Sequence, residues 1–312
     1  MSNNSKWTRN RFVFTLCMLL FVLLITQPLW GQQGSGQKAP GFFNFWKLPR
    51  VWMSAVFSLI GLVLLMKSWV TRNIRLISLV VIFFVFAILS ILPLGSFAKG
   101  MSMHPSPLCV IEKPFLFLDR GRGIPVIFLS IFVSVAILTM IGNKLFCGWA
   151  CPLGAIQEIA HRIPLPKKLK IKLPFRITNS VRILIFILFI ILLFSIGKSI
   201  YPYLNPFEFF HWGFGFIAVV CLVVTLIAAM FIFRPFCYVI CPLGLFTWVF
   251  EHASLVRVKM DKDKCTHCNI CVEKSPCPTV SSILDEKKSR PDCHPCGRCI
   301  EVCPENALKF TK

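Results

Sequence analysis

Cysteine is the residue whose number and spacing in this chain point to chemistry. The chain of 312 residues contains 15 cysteines, and the tail carries two cysteine runs of the same form. In each run, three cysteines are separated from one another by two residues, and a fourth stands directly before a proline. The members are Cys265, Cys268, Cys271 and Cys277, followed by Cys293, Cys296, Cys299 and Cys303. This spacing is typical of bacterial two-cluster ferredoxins and predicts two [4Fe-4S] clusters.

The proline-linked cysteine of each run is expected to reach across to the other cluster, while the three closely spaced thiolates wrap their own. The predicted ligand sets are Cys265, Cys268, Cys271 and Cys303 for cluster one, and Cys293, Cys296, Cys299 and Cys277 for cluster two. Two structural zinc sites are the alternative, but zinc requires neither a third cysteine at the same interval nor a fourth before proline. The first run has five residues between Cys271 and Cys277, which lengthens a loop and keeps every ligand.

A different cysteine pattern occurs twice in the middle of the chain. The sequence Phe-Cys-x-x-x-Cys-Pro-Leu-Gly occupies residues 146–154 and, ninety residues later, 236–244. Cysteines four positions apart lie on one face if the segment is helical, and the following proline suits the first turn of the next helix. We therefore expect Cys147, Cys151, Cys237 and Cys241 to converge. Three interpretations remain open: a third cluster, a thiol/disulfide redox pair, or buried cysteines that only pack.

The elements that position these cysteines are predicted to be membrane spans. Hydrophobic residues make up 56% of the chain and charged residues 15%, a balance that a soluble domain does not have. Apolar runs without charged residues lie at about 12–30, 51–66, 76–94, 124–141, 183–196 and 214–233. A helix needs roughly 17 to 25 residues to cross the hydrocarbon core, so 51–66 and 183–196 need flanking residues. We predict an α-helical polytopic membrane protein of about six spans, followed by an α+β two-cluster ferredoxin domain.

The net charge of +21 is explained by membrane topology. Most of the 34 Lys and Arg residues lie in the segments 1–11, 67–75, 142–182 and 234–312, which the positive-inside rule places in the cytoplasm. The basic run of Lys167, Lys168, Lys170 and Lys172 is expected to face anionic lipid headgroups. Nucleic acid is not an expected partner. We predict a multi-pass protein of the bacterial inner membrane with cytoplasmic N- and C-termini and a retained first span, because no signal-peptide cleavage pattern follows that span.

The cysteine pairs belong to a parallel internal repeat. Each copy contains a span, an outer loop with a Pro-Phe-x-Phe segment, a second span and a cysteine pair. Because both copies cross the membrane in the same direction, an axis along the membrane normal should bring the two pairs together at the inner membrane surface. The predicted parts are an N-terminal membrane region (1–75), repeat 1 (76–160), a basic linker (161–182), repeat 2 (183–255) and the ferredoxin domain (256–312).

Together, these motifs resemble those of the NapH-type membrane ferredoxins, the quinol dehydrogenase subunits associated with periplasmic nitrate reduction. The resemblance runs from the fourth span to the end of the chain and includes Leu204, Asn205 and Pro206. The wider group includes NosR and the cupric reductase CcoG. NapH-like proteins usually have four spans, whereas this chain carries an added pair before the shared part. The resemblance implies quinol oxidation, with electrons passed through clusters to a respiratory reductase, a cytochrome or a ferredoxin.

Quinol oxidation also releases two protons, so its site needs proton acceptors near a membrane face. Glu208 and His211, in the outer loop of repeat 2, are the first-choice catalytic residues. The alternative for His211 is an interfacial anchor beside Trp212. Further outer candidates are Glu112, Asp119 and His104. Inner candidates, closer to the clusters, are Glu158, His161 and His252.

Two other functions are consistent with the same clusters. An iron-sulfur metal reductase or assembly factor would need metal ligands on the outer face. Met101, Met103, His104 and Cys109 would supply a soft copper site there. A pure relay subunit would instead carry clusters without a quinone site of its own, and a partner membrane protein would handle the quinone.

Overall fold

The fold is mostly helical in the part of the chain that the computed structural model describes. That part comprises residues 42–89, 101, 106, 108–211, 215–287, 290 and 292–311. Before the first cysteine pair, the helices are α1 (Pro49–Met66), α2 (Arg72–Phe83), α3 (Cys109–Asp119) and α4 (Val126–Gly142). A 3₁₀ helix, Phe42–Lys47, precedes α1, and a π-helical segment, Phe84–Ile88, continues α2.

The two cysteine pairs lie among a second set of helices, most of which are short. In chain order these are α5 (Leu145–Trp149), α6 (Pro152–His161), α7 (Phe175–Ile196), α8 (Phe216–Phe231), α9 (Pro235–Val239) and α10 (Leu243–Glu251). Of this set, α7 and α8 are the long members. Short 3₁₀ helices occupy Lys167–Leu169, Tyr201–Tyr203 and Pro206–His211.

The ferredoxin domain combines short helices with a two-stranded sheet, as predicted. Its elements are β1 (Arg257–Met260), α11 (Ile270–Lys274), α12 (Val280–Leu284), α13 (Arg298–Glu301) and β2 (Leu308–Thr311). The strands pair antiparallel, with Val258 opposite Phe310. Both of these side chains are buried in one core cluster with three cysteines, Cys271, Cys277 and Cys299. The sheet therefore closes the domain around the cysteine loops.

Two of the described helices, α1 and α7, are long and apolar enough to cross a membrane. Both draw on residues that flank the apolar runs, since α1 begins at Pro49 and α7 at Phe175. Two shorter apolar helices, α4 with 17 residues and α8 with 16, occupy two of the other predicted runs. The run 12–30 and the end of the run 76–94 lie outside the described residues. The number of spans, six, therefore stays a prediction.

The two repeats make the same turn ahead of their cysteine pairs. Lys144 and Arg234, ninety residues apart, both have positive φ angles, 68° and 51°, a conformation that non-glycine residues seldom adopt. In each copy a five-residue helix follows, α5 or α9, and it ends before the second cysteine. The condition for a common face, that the whole segment is helical, is therefore not met, and the two cysteines of a pair do not lie on one face of a continuous helix. Cys151 is extended instead, because the residue before a proline is disfavoured in the α conformation.

The cysteine segments pack against the helical bundle close to the ferredoxin domain. Thr178 Oγ1 of α7 lies 3.0 Å from a carboxylate oxygen of Asp292 in the ferredoxin domain. Cys151 belongs to one buried core cluster with Phe189 and Leu193 of α7. The position of the cysteine segments at the inner membrane surface stays a prediction.

Trp149 connects the first cysteine segment to α1 and to the ferredoxin domain. Its ring nitrogen Nε1 donates a hydrogen bond of 2.8 Å to the carbonyl of Pro295, and the side chain is buried. On its other side the ring lies against Gly61 of α1, where an added Cβ would come within 2.2 Å of Trp149 Cδ2. The contact requires glycine because no side chain fits between the helix and the ring.

We predict that Gly61→Ala lowers the thermal stability of the protein through overpacking, which costs roughly 1 to 3 kcal/mol. The measurement is thermal unfolding in detergent, followed by tryptophan fluorescence. Gly215→Ala is the matched control, because a Cβ at Gly215 meets nothing within 4 Å. Equal unfolding temperatures for the two variants would contradict the close approach of α1 to Trp149.

Candidate functional site

The four cysteines predicted for cluster one line a single small cavity in the ferredoxin domain. Cys265, Cys268, Cys271 and Cys303 all contribute to its wall, together with Pro304. The loop that carries the first three bends at His267 and Asn269, which have φ angles of 53° and 56°. These turns direct successive thiols toward one space. A donor set of four soft thiolates around a cavity fits an iron-sulfur cluster.

The structure also brings Cys277 of the first run together with the second run. Cys277, Cys293, Cys296 and Cys299 are all buried. Burial raises the pKa of the Cys293 thiol well above its ordinary value, and the neighbouring Cys277 and Cys296 raise it further. The pKa of Cys299 is raised by burial and then by Cys296, Cys293 and Cys277. Cys277 therefore lies with the three cysteines of the other run, as the crossover of ligands requires.

The number and order of the thiols favour a cluster over structural zinc. Tetrahedral zinc needs four ligands around one ion, and it requires neither a third cysteine at the same interval nor a fourth before proline. Within the described ranges, no three His, Cys, Asp or Glu side chains are grouped so that they could hold a single metal ion.

The four cysteines of the repeats, Cys147, Cys151, Cys237 and Cys241, converge in the structure. Burial raises the pKa of Cys147 well above its ordinary value, and the other three cysteines add to the effect. Burial and then Cys237 raise the pKa of Cys151 to about 12. The pKa of Cys241 is also about 12, raised by burial, Cys237 and Cys151. All four are free thiols.

Gln157 of α6 links the first repeat to a cysteine of the second. Its Nε2 lies 3.6 Å from Cys237 Sγ and donates a hydrogen bond of 2.9 Å to the Leu153 carbonyl. Its Oε1 accepts a hydrogen bond of 3.0 Å from the backbone N–H of Phe236. Gln157 was not predicted from the sequence, because its role depends on the contact between the two copies.

The buried carboxylate of Glu158 is shared by two arginines. Arg75 donates to both of its oxygens, at 3.0 and 2.9 Å, and Arg234 donates to one at 2.6 Å. Burial alone would raise the pKa of Glu158, but the two guanidinium groups outweigh it and lower the pKa below its usual range. The same arginines donate to the backbone carbonyls of Cys147 (2.8 Å) and Gly148 (2.9 Å). Glu158 is thus a positioning group and a poor proton acceptor.

A second set of buried ion pairs mirrors the first. Arg182 donates to the carbonyl of Tyr238, ninety residues after Gly148, and to a carboxylate oxygen of Asp292 at 3.1 Å. Lys144 of repeat 1 pairs with Glu251 of repeat 2 at 2.9 Å. The sequence alone does not predict these ion pairs, because they join distant segments. One signal for them is that Arg75 and Arg182 each stand directly before an apolar run.

The carboxylates of Glu112 and Glu208, which lie in the predicted outer loops, are near each other. Ser199 Oγ donates a hydrogen bond of 2.6 Å to Glu112, and Asn205 Nδ2 donates one of 3.1 Å to Glu208. Glu112 is only 3% exposed. Burial raises its pKa, and the charge of Glu208 raises it further. A carboxyl group with a raised pKa is suited to accept a proton near neutral pH.

Tyr201 lies between these carboxylates and the cysteine pairs. Its ring is fully buried against Phe189, with the ring centroids 4.9 Å apart. Burial raises the pKa of its hydroxyl, and Cys241 and Glu112 both add to the effect, so Tyr201 is close to both groups. Among the described residues, the hydroxyl has no hydrogen-bond partner.

The remaining candidates are placed as follows. The backbone of His211 ends a 3₁₀ helix, but its side chain, like Trp212, Met103 and His104, lies outside the described residues. Met101 and Cys109 are buried, and Ser106 Oγ donates to Cys109 Sγ at 3.2 Å. Asp119 is exposed. The ring nitrogens of His161 and His252 lie 3.0 and 2.9 Å from the carbonyls of Ala229 and Trp248.

Comparison with known proteins agrees with this cysteine arrangement. Residues 124–172 and 214–261, which contain the two repeat cysteine pairs, match the 4Fe-4S binding domain family. The ferredoxin-type protein NapH of Haemophilus influenzae is 31% identical over 236 residues, 70% of this chain and 79% of that protein. NapH of Escherichia coli is 27% identical over 229 residues, with the same shares. The regulatory protein NosR of Pseudomonas aeruginosa is 28% identical over 194 residues, 56% of this chain and 26% of NosR. No solved structure matches this chain.

If the fourth cysteine of each run binds the other cluster, variants that lose a ligand of the same cluster should have similar EPR spectra. Cys303→Ala should change the EPR spectrum of the reduced protein in the same way as Cys265→Ala, because both remove a ligand of cluster one. Cys277→Ala should match Cys293→Ala for the same reason. Cys221→Ala, which alters a cysteine outside both runs, should leave the spectrum unchanged. If Cys303→Ala matched Cys293→Ala instead, the assignment of the two ligand sets would be wrong.

Proposed function

This chain belongs to the NapH family of ferredoxin-type proteins, and from this membership we propose that it oxidises quinol and delivers the electrons to a redox partner protein. It is an iron-sulfur electron-transfer protein of the NapH and NosR type that binds [4Fe-4S] clusters. The observation that carries the proposal is a continuous series of buried groups. The series runs from the outer carboxylates through Tyr201 and the paired cysteines to the ferredoxin cysteines.

A multi-pass location in the bacterial inner membrane is supported by the exposed apolar faces of four helices. Leu59 on α1, Ile77 on α2, Leu184 on α7 and Val224 on α8 are each at least half exposed. Apolar surface of this extent is not stable in water and is suited to lipid chains. We place the ferredoxin domain and both termini in the cytoplasm, because Arg72, Lys170 and Lys172 of two basic segments line one cavity together with that domain.

The quinol is proposed to bind at the outer end, where Glu208 and His211 are the first-choice proton acceptors. Oxidation of a quinol to a quinone releases two electrons and two protons, so two acceptors are needed. The raised pKa and burial of Glu112 support it as an acceptor beside Glu208. The unpartnered hydroxyl of Tyr201 is positioned to hydrogen-bond a ring oxygen of the quinol. A hydroxyl held in a dry site orients a substrate more strictly than one exposed to water.

We propose that Cys147, Cys151, Cys237 and Cys241 hold a third cluster. Their convergence, and the match of their segments to the 4Fe-4S binding domain family, support this over a disulfide pair or packing alone. A [4Fe-4S] cluster, when bound, accepts and releases single electrons. The chain supplies the ligands, excludes water by burial and fixes the segments through Arg75 and Arg234, whose guanidinium groups bind the backbone of residues 147 and 148.

The outer carboxylates can be tested by quinol-dependent reduction of the clusters. Glu112→Gln and Glu208→Gln should each slow reduction by a quinol analogue by about 100-fold, since general-base catalysis contributes at least this much. Reduction by dithionite should be unchanged. Asp119→Asn is the matched control, because Asp119 lies in the same loop region as Glu112 but is exposed. Full quinol-dependent activity in both Glu variants would contradict an outer quinol site.

If the paired cysteines hold a third cluster, removing one of these ligands should lower the iron content of the protein by the iron of one cluster. Cys151→Ala and Cys241→Ala should each contain about four irons fewer per chain than the unaltered protein, because a cube has four. Both should retain ferredoxin clusters that dithionite reduces but lose reduction by quinol. Cys221→Ala should retain the full iron content. An unchanged iron content in Cys151→Ala and Cys241→Ala would refute the cluster at the paired cysteines.

A further inference from the structure

A basic cavity of about 420 Å³ lies where the inner ends of the helices meet the ferredoxin domain. Its wall draws on three parts of the chain: the start of α2, the linker after α6, and the ferredoxin domain. The cationic side chains that line it are Arg72, Arg162, Lys170, Lys172, Lys274 and Arg298. None of these residues belongs to the electron-transfer site described above. The cavity therefore requires an explanation of its own.

The positive charge of this cavity is not balanced by protein carboxylates. Its wall contains two, Glu158 and Glu273, and Glu158 is already bound by Arg75 and Arg234. Only Arg162 among the six cations forms an ion pair within the described residues, a long one of 3.8 Å to Glu158. An anion in the cavity would therefore be attracted strongly.

The cations that line the cavity repel one another, and some of their N–H groups have no hydrogen-bond partner among the described residues. Burial lowers the pKa of Lys170, and the charge of Arg298 lowers it further. Arg162 keeps two buried nitrogens, Nε and Nη2, without a hydrogen-bond partner among the described residues, and Arg298 keeps its Nε. The side chain of Arg162 is 13% exposed. Guanidinium groups with free N–H donors are the preferred ligands of phosphate oxygens.

We propose that this cavity binds a phosphate-bearing anion. The phosphate of an anionic lipid headgroup and a soluble phosphate have this chemistry in common. The rim favours the lipid, because Ile171 in the wall and Ile163 beside it are about half exposed, 52% and 43%, and acyl chains would cover them. Basic pockets at the cytoplasmic ends of membrane helices bind such headgroups. Bound there, the phosphate bridges α2, the linker and the ferredoxin domain.

The test uses the full chain in a non-ionic detergent, titrated with phosphatidylglycerol, phosphatidylcholine or inorganic pyrophosphate. The double variant Arg72→Gln/Lys274→Gln removes two lining cations whose side chains form no ion pair with the described residues. It should weaken the tightest phosphatidylglycerol binding about thirtyfold, as expected for two basic residues near a headgroup. The control Lys264→Gln/Lys309→Gln removes two exposed charges that lie outside both the cavity and the basic linker, and it should change this binding less than threefold.

Competition between phosphatidylglycerol and pyrophosphate identifies the source of the phosphate. Tight binding of phosphatidylglycerol without competition by pyrophosphate supports a lipid, whereas competition supports a site open to soluble phosphates as well. Iron content and unfolding temperature should stay unchanged in both double variants, which establishes that they fold. The proposal is overturned if the lining variant binds phosphatidylglycerol as tightly as the unaltered chain. It is also overturned if the unaltered chain neither prefers phosphatidylglycerol to phosphatidylcholine nor binds pyrophosphate.

Discussion

The shared carboxylate of Glu158 is the interaction on which the arrangement of the cysteine segments depends. It pairs with both Arg75 and Arg234, and these two guanidinium groups in turn bind the backbone of the first cysteine segment. A buried charge that loses its partner costs several kcal/mol, so α2, α6 and the second cysteine segment are held together at one point. The convergence of the four thiols follows from this network.

The buried ion pairs also explain how the two copies of the repeat form one unit. Arg234 of repeat 2 pairs with Glu158 of repeat 1, while Lys144 of repeat 1 pairs with Glu251 of repeat 2. Lys144 and Arg234 occupy equivalent positions, ninety residues apart, and each binds a carboxylate of the other copy. Arg182 extends the arrangement to the ferredoxin domain through Asp292, the residue before Cys293. The ligand loop of the ferredoxin domain is thereby fixed relative to the bundle.

The first cysteine segment connects the core of the bundle with the ferredoxin domain. Cys151 belongs to the same core cluster as Tyr201 and Phe207, while Trp149, two residues earlier, donates a hydrogen bond to the carbonyl of Pro295 in the ferredoxin domain. In the proposed function, the paired cysteines therefore lie between the quinol site and the ferredoxin cysteines.

Sequence spacing predicted the parts of the site that depend on local geometry. The cysteine runs, the ninety-residue repeat and the proximity of its four cysteines were predictable, because each follows from intervals along the chain. The ligand set of each cluster stays a prediction. The packing of Cys151, the hydrogen bonds of Gln157 and the pairing of Arg75 were not predictable, because they depend on which distant segments pack together. Glu112 was only one of several outer candidates. Its burial against Ser199, which distinguishes it from the exposed Asp119, is a tertiary property.

The central claim is that cysteines in this chain hold iron-sulfur cubes in both the bundle and the ferredoxin domain. The most direct measurement is the iron and zinc content of the unaltered chain, purified without oxygen. The account predicts about twelve irons per chain, four for each of three clusters, and no stoichiometric zinc. Iron-free protein loaded with zinc would contradict it.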